Sequence, residues 1–348
     1  MKGIAIVSTP MQLINCVELM YKKNFDVSVL ILLYTNHRRC ESMKDILKIQ
    51  EIKAHFDTVK YINLGTGIRS LGFNIYLRFL LSSLSGLDTY DICVIGNHFL
   101  IQSRYLILKI TNKSPNCNFY ICDDGLATLN SYRCRLAQIR EGKNVFPCSQ
   151  RARKVAFMFS GINNFIPRSL CFFTVYSLEK NAVDSYIYNT YDYIRSHLYL
   201  FNSSVDFNSY DTIFIGQPLY QKGILDMTTF NKCLKYVIER SLRGKILYIL
   251  HPQEDINSLQ LNEDLKDCVD AFSFDYPIET LLSALENKSI YSFYTSALVN
   301  LKYMNLCSNF YALWLKDVLE MNNNYSRALK RVYQYLSANG IQVIKDIC

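Results

Sequence analysis

Short apolar runs alternate with longer amphipathic stretches along this chain, and that alternation limits the folds open to it. Strand-like runs fall at residues 3–7, 26–34, 57–63, 90–95 and 118–122. Between them, 11–21, 40–55, 70–85 and 99–111 carry apolar residues at helical spacing. In the first of these, Leu13, Ile14, Val17, Leu19 and Met20 make one face. A polar, tyrosine-rich stretch at 185–210 reads as a crossover between domains. The pattern then restarts, with strands at 210–215, 245–250, 270–274 and 289–293. Helices are expected at 227–242, from Pro277 to about Asn287, from Thr295, and over 309–320 and 325–338. Parallel strands need a crossover and antiparallel strands do not, so one helix between successive strands predicts parallel, Rossmann-like sheets. Two such halves predict an α/β protein of two domains, 1–205 and 206–348. A chain of 348 residues is long for one core. The apolar stretch 155–175 is expected to form a core helix.

Composition narrows the partners. Half of the residues are hydrophobic and a fifth charged, which excludes a disordered chain. A net charge of +8 favours anionic partners such as nucleotides, acidic glycans, membrane surfaces or nucleic acid, without choosing among them. Met1–Val7 reads as a first strand rather than a secretory signal, and no apolar run reaches the roughly 18 residues a membrane span needs. The 12 cysteines are scattered through apolar runs with no Cys-x-x-Cys and no zinc spacing, so reduced thiols and a cytoplasmic location are expected. Gly65-Thr66-Gly67 lacks the full glycine pattern of a dinucleotide loop. No nucleic-acid recognition motif is present, so nucleic acid is not an expected partner.

The candidate chemistry sits at strand ends, where open α/β sheets bind ligands. Asp123-Asp124-Gly125 ends the 118–122 run. An acidic pair there can serve as a general base, as hard oxygen ligands for a divalent metal, or simply as an Asp-Gly turn. His251 ends the apolar run 245–250, and Pro252 holds it extended. It is either structural or a proton donor working near neutral pH. Glu279 stands at a helix start, where it either meets the helix dipole or takes a ribose diol. Thr295 and Ser296 open the next helix, as a plain N-cap or as a phosphate cradle with free backbone N–H groups.

The order and spacing of these motifs carry more than any one of them. Asp-Asp-Gly is followed by His-Pro, by an acid 28 positions after the histidine (251 to 279), and by a hydroxyl pair 16–17 positions later. Together with the Ser8-Thr-Pro-Met-Gln-Leu opening and Phe214-Ile-Gly-Gln-Pro-Leu219, this resembles the bacterial sialyltransferases of GT-B fold. It is most similar to glycosyltransferase family 52, the lipooligosaccharide and capsule enzymes, to which the bacterial polysialyltransferases are related.

The resemblance implies two Rossmann-like domains with parallel sheets facing across a cleft. It implies inverting transfer from CMP-sialic acid to a galactoside-type acceptor of a surface glycan, with no cofactor and no metal. Asp124 matches the family's general base and Asp123 its acidic neighbour. His251 matches the histidine that assists the departing phosphate. Glu279 would take the ribose hydroxyls, and Thr295, Ser296 or Ser292 the phosphate, with Gly216 and Pro252 lining the donor site. On general grounds, one nucleoside phosphate needs less charge compensation than a diphosphate, which often recruits a metal. Rival readings are a GT-B enzyme using a UDP-sugar, a nucleotide-sugar epimerase or hydrolase, and a non-catalytic glycan or nucleic-acid binder. The basic run Arg133, Arg135, Arg140, Lys143, Arg151, Arg153 and Lys154, followed by apolar 155–175, predicts either a solvated loop or a patch for a membrane surface. In the second case the protein is peripheral on the inner membrane face, where a lipid-linked acceptor would be within reach, or the patch meets an anionic acceptor.

Overall fold

The structure is a computed structural model. It describes residues 2–35, 37–64, 89–143, 158, 161–162, 165–197, 205–274, 276–304, 307–321 and 323–345. The chain divides into two compact units, Met1–Ser196 and His197–Cys348.

In the first unit the strands are β1 Gly3–Val7, β2 Val27–Tyr34, β3 Phe56–Asn63, β4 Ile92–Ile95, β5 Asn118–Cys122, β6 Cys171–Thr174 and β7 Ser185–Tyr188. They form one sheet in the order β3-β2-β1-β4-β5-β6-β7, with every pairing parallel. In the second unit β8 Thr212–Ile215, β9 Ile246–Leu250, β10 Val269–Ser273, β11 Ser289–Ser292, β12 Asn309–Leu313 and β13 Gln342–Ile344 make a second parallel sheet, ordered β10-β9-β8-β11-β12-β13. The central strands β1, β4, β8 and β9 are buried along their whole length. Helices cover both faces of such a sheet, which is why these strands read as unbroken apolar runs.

Local chemistry sets where the helices begin. Thr9 caps helix Pro10–Lys23 by accepting from Gln12 N, and Pro10 stands in its first turn. Asn24 closes it in the left-handed region at φ 53°, with Lys22 and Lys23 in the last turn. Asp226 caps helix Met227–Ile238 through Thr229 N. Asn323 and Ser326 form a reciprocal capping box at helix Asn324–Ala338.

Several elements depart from the sequence reading. The 309–320 segment splits into strand β12 and the short helix Lys316–Glu320. Its apolar run is a strand buried beside β11, and periodicity cannot separate that from a helix. The 185–210 crossover contains edge strand β7 and helix Asp192–Ser196. The tail of 155–175, expected as helix, is strand β6. The expected helix 70–85, Gly65–Gly67, and Arg151, Arg153 and Lys154 lie outside the described residues.

Arg135 does not belong to a basic surface. It is fully buried in helix Ala127–Glu141, with Nε and Nη2 donating to Asp184 at 3.1 and 2.8 Å and Nη1 to Pro167 O at 3.0 Å. The described cysteines are all free thiols, most of them buried. Among the described residues no helix is long and apolar enough to cross a membrane.

Candidate active site

Each unit gathers its candidate residues at the carboxyl edge of its own sheet, on adjacent strands. In the first unit these are β1, β4, β5 and β6. An Asp-Gly turn, one of the readings open from sequence, is present: Gly125 follows β5 at φ 59°, and Thr128 N donates to its carbonyl at 3.0 Å.

The turn sends its two carboxylates to different places. Asp123 is buried at 2% exposure, and its Oδ2 accepts from Val175 N, just past β6, at 2.8 Å. Asn15 donates to its carbonyl at 3.3 Å. Burial pushes the Asp123 carboxyl up to about 7, against the opposing pull of its hydrogen bonds. Asp123 therefore ties β5, β6 and helix Pro10–Lys23 together.

Asp124 is half-buried, and its backbone N–H is held by Thr128 Oγ1 at 2.8 Å. Gln12 Nε2 donates to its Oδ1 at 2.7 Å, and Asn97 Nδ2 to its Oδ2 at 2.9 Å. Gln12 is completely buried, and Gly96 makes room for it: a Cβ there would stand 2.1 Å from Gln12 Oε1. His98, next to Asn97, is also buried. Burial, with Arg104 and Arg135 nearby, holds its ring well below the usual imidazole range.

In the second unit the adjacent strands are β9, β8 and β11. Gly216 follows β8 and donates its N–H to Ile249 O at 2.8 Å. Against it lies Glu254, 2% exposed, which accepts from Tyr248 Oη on Oε1 and from His251 N on Oε2, both at 2.7 Å. A Cβ on Gly216 would fall 2.3 Å from Glu254 Oε2 and 2.7 Å from Tyr248 Oη. Burial raises the Glu254 carboxyl. His251 is half-buried; its Nδ1 accepts from Gln253 N at 3.1 Å, so the neutral ring carries its proton on Nε2. Pro252 is exposed in the same turn.

The ends of β8 and β11 are stitched together. Ser292 is fully buried and its Oγ donates to Ile215 O at 2.7 Å, while Tyr294 N donates to Gln217 Oε1 at 2.9 Å. Thr295 caps helix Ser296–Tyr303, its Oγ1 accepting from Ala297 N at 3.3 Å, and Ser296 is the first helical residue. Asn300 of that helix donates to Glu279 Oε1 at 2.7 Å. Glu279, in the turn Ile278–Leu281, is 5% exposed and its carboxyl is raised by burial.

The structure thus links Gly216 and His251 through Glu254, with Pro252 in the same turn. It links Glu279 to the helix opened by Thr295 and Ser296, and it turns Ser292 inward onto β8. Sequence reasoning missed Gln12, Asn97, Glu254 and Asn300 as partners. Among the described residues no three His, Cys, Asp or Glu side chains gather as a metal ion would need.

The structure of this chain resembles that of UGT89C1 from Arabidopsis thaliana, solved in complex with UDP-L-rhamnose: TM-score 0.51, 9% identity, 90% of this chain and 80% of that one covered. Acinetobacter baumannii MurG matches at TM-score 0.45 and 10% identity, over 99% of this chain and 86% of that one. E. coli heptosyltransferase WaaC with ADP-2-deoxy-2-fluoro heptose matches at TM-score 0.40 and 10% identity, over 90% and 89%. None of the curated protein sequences matches. The two parallel α/β units have the fold of the GT-B glycosyltransferases. Residues 3–313 match the family described as alpha-2,8-polysialyltransferase, and the chain belongs to that family.

Proposed function

We propose that this protein is an inverting sialyltransferase that moves sialic acid from CMP-sialic acid to a glycan acceptor of a bacterial surface polysaccharide, without a metal. The observation that carries the reading is Asp124: a half-buried strand-end carboxylate with a neutral amide on each oxygen, in a chain of the polysialyltransferase family. Asp124 takes the proton of the acceptor hydroxyl as that oxygen bonds to the anomeric carbon, and the bond to the CMP phosphate breaks with its electrons going to the phosphate. His251 Nε2–H stabilises or protonates that phosphate. The Thr295 and Ser296 hydroxyls and the N-terminal N–H groups of helix Ser296–Tyr303 hold it. Glu279, oriented by Asn300, takes the ribose hydroxyls. Pro252 and Gly216 shape the donor side.

The resemblance of the sequence motifs to glycosyltransferase family 52 suggests a galactoside acceptor. The name of the matched family favours a second reading of the same chemistry, an acceptor that already ends in sialic acid, giving a 2,8-linked polymer. The decisive assay follows CMP release and product linkage with CMP-sialic acid against lactose, sialyllactose and an oligosialic acid, with and without chelator. We expect acceptor-dependent CMP release that chelator leaves unchanged. Turnover of UDP-sugars instead, or CMP release indifferent to acceptor, overturns the proposal. A product only from sialylated acceptors selects the second reading.

A further inference from the structure

Gln12 and Asn97 carry the least expected feature of the first unit. Each side chain has its amide orientation settled by what its oxygen does. Gln12 Oε1 accepts from Ser8 N at 2.7 Å and from Ser8 Oγ at 3.0 Å, which leaves Nε2 to face Asp124 Oδ1. Asn97 Oδ1 accepts from Phe99 N at 2.9 Å, which leaves Nδ2 to face Asp124 Oδ2. Both amides are therefore obligate donors to the same carboxylate. They come from different elements, the helix after β1 and the turn after β4, 112 and 27 residues from Asp124. Neither carries a charge.

We infer that Gln12 and Asn97 are positioning residues for Asp124: two neutral donors that fix the plane of its carboxylate and favour its ionised form, so that the group meeting the acceptor hydroxyl is a ready proton acceptor. This rests on the reading of Asp124 as the base. The physical case has three parts. A lysine or arginine in either place would hold the carboxylate more tightly but lower its basicity, because a nearby cation favours the charged form strongly. Amides orient it at a smaller cost in basicity. Two donors from separate elements, the helix after β1 and the turn after β4, also remove the rotation about χ2 that a single one would permit. Finally, the space Gln12 occupies exists because residue 96 is glycine, so the donor is built into the packing of β1 against β4. Among the described residues, Asp123 is a titratable group beside Asp124, buried and hydrogen-bonded to Val175 N.

Two substitutions test this with little change of shape. Gln12→Glu and Asn97→Asp keep the acceptor oxygens that hold Ser8 and Phe99, and replace only the N–H donor by a carboxylate oxygen. Each then sets two carboxylates to share one proton. Both variants are expected to melt as whole folded proteins. In CMP-sialic acid transfer their kcat should fall about tenfold or more, with KM for donor and acceptor within about threefold. The acid limb of their kcat profile should move to higher pH by about one unit or more. A merely structural role would lower Tm without moving that limb. If Gln12→Glu does not fold, Asn97→Asp, at a half-buried position, carries the test alone. An unmoved acid limb in the folded variants, with Asp124→Ala inactive, overturns the positioning role and leaves the base standing. Activity retained in Asp124→Ala overturns the base reading itself, and with it the inference.

Discussion

Asp124 and His251 differ in how their surroundings hold them. Asp124 is gripped at its carboxylate by two side chains, whereas His251 is gripped at its backbone N–H by Glu254 and at Nδ1 by the turn that follows. Loss of either group should therefore remove chemistry and leave the fold. Asp124→Ala and His251→Ala are each expected to lower kcat by about 10²–10⁴-fold, with thermal melting within a few degrees of the parent. Near-normal turnover in Asp124→Ala would rule that residue out as the base. Gly216→Ala is a different case, because its methyl would lie within 3 Å of Glu254 and Tyr248, both buried. It should cost about 1–3 kcal/mol of stability and displace the His-Pro turn, seen as a lower urea midpoint together with lower activity. The two residues proposed as reactive stand out in the sequence because each follows an apolar strand. Gln12, Asn97, Glu254 and Asn300 do not, because nothing in their local sequence separates them from ordinary polar residues. Gln12 becomes recognisable only when β1, β4 and β5 stand side by side.

At the scale of elements, the alternation predicts strands β1 to β5 and β8 to β11 where they stand, while its helix 70–85 lies outside the described residues. It failed where the two kinds of element look alike. Residues 309–313 are apolar enough for either, and β12 is decided by its pairing with β11. The β7 segment Ser-Tyr-Ile-Tyr is partly exposed because it lies on the sheet edge, and its polarity reads as a linker. That edge is anchored from within by the Arg135–Asp184 pair. Asp184 Oδ1 also accepts from Leu170 N at 3.0 Å, just ahead of β6. Asp184→Ala strands a guanidinium in the core, and removing one partner of a buried pair costs about 3–5 kcal/mol. Urea unfolding of that variant should show a loss of this order. A loss below about 1 kcal/mol would mean the pair is not structural.

At the scale of the whole molecule, four buried carboxyl groups among the described residues stand outside the Arg135–Asp184 pair: Glu18 and Asp123 in the first unit, Glu254 and Glu279 in the second. Burial raises all four, Glu18 and Asp123 to about 7. In the unfolded chain such groups titrate near 4. Between those values the native state binds more protons than the unfolded one, so stability is greatest at the acid end and declines as pH rises towards 7. The urea midpoint should thus be lower at about pH 8 than at about pH 5.5. Asp123→Asn, which keeps an acceptor for Val175 N, should narrow that difference; an equal difference in parent and variant would contradict this account.

The same scale governs how the first unit can be assembled. A fragment ending at Ser196 should fold, whereas one ending at Val175 should not, as far-UV circular dichroism and thermal melting would show. The reason is Glu18, whose two oxygens accept from Tyr193 N at 2.9 Å and Ile194 N at 2.7 Å. If the short fragment melted as sharply as the long one, that closure would be dispensable.

The order of the first sheet has a further consequence, for synthesis on the ribosome. β1 leaves the exit tunnel ahead of the other strands of its sheet yet lies in that sheet's interior, and its partner β4 begins at Ile92. A nascent chain must therefore carry one bare edge of an apolar strand through nearly ninety further additions. Glu18 waits longer still, for residues 193 and 194. At about 5–20 residues per second this is an interval of several seconds to tens of seconds. During it the strand meant for the heart of the sheet is the one most in need of a chaperone's cover.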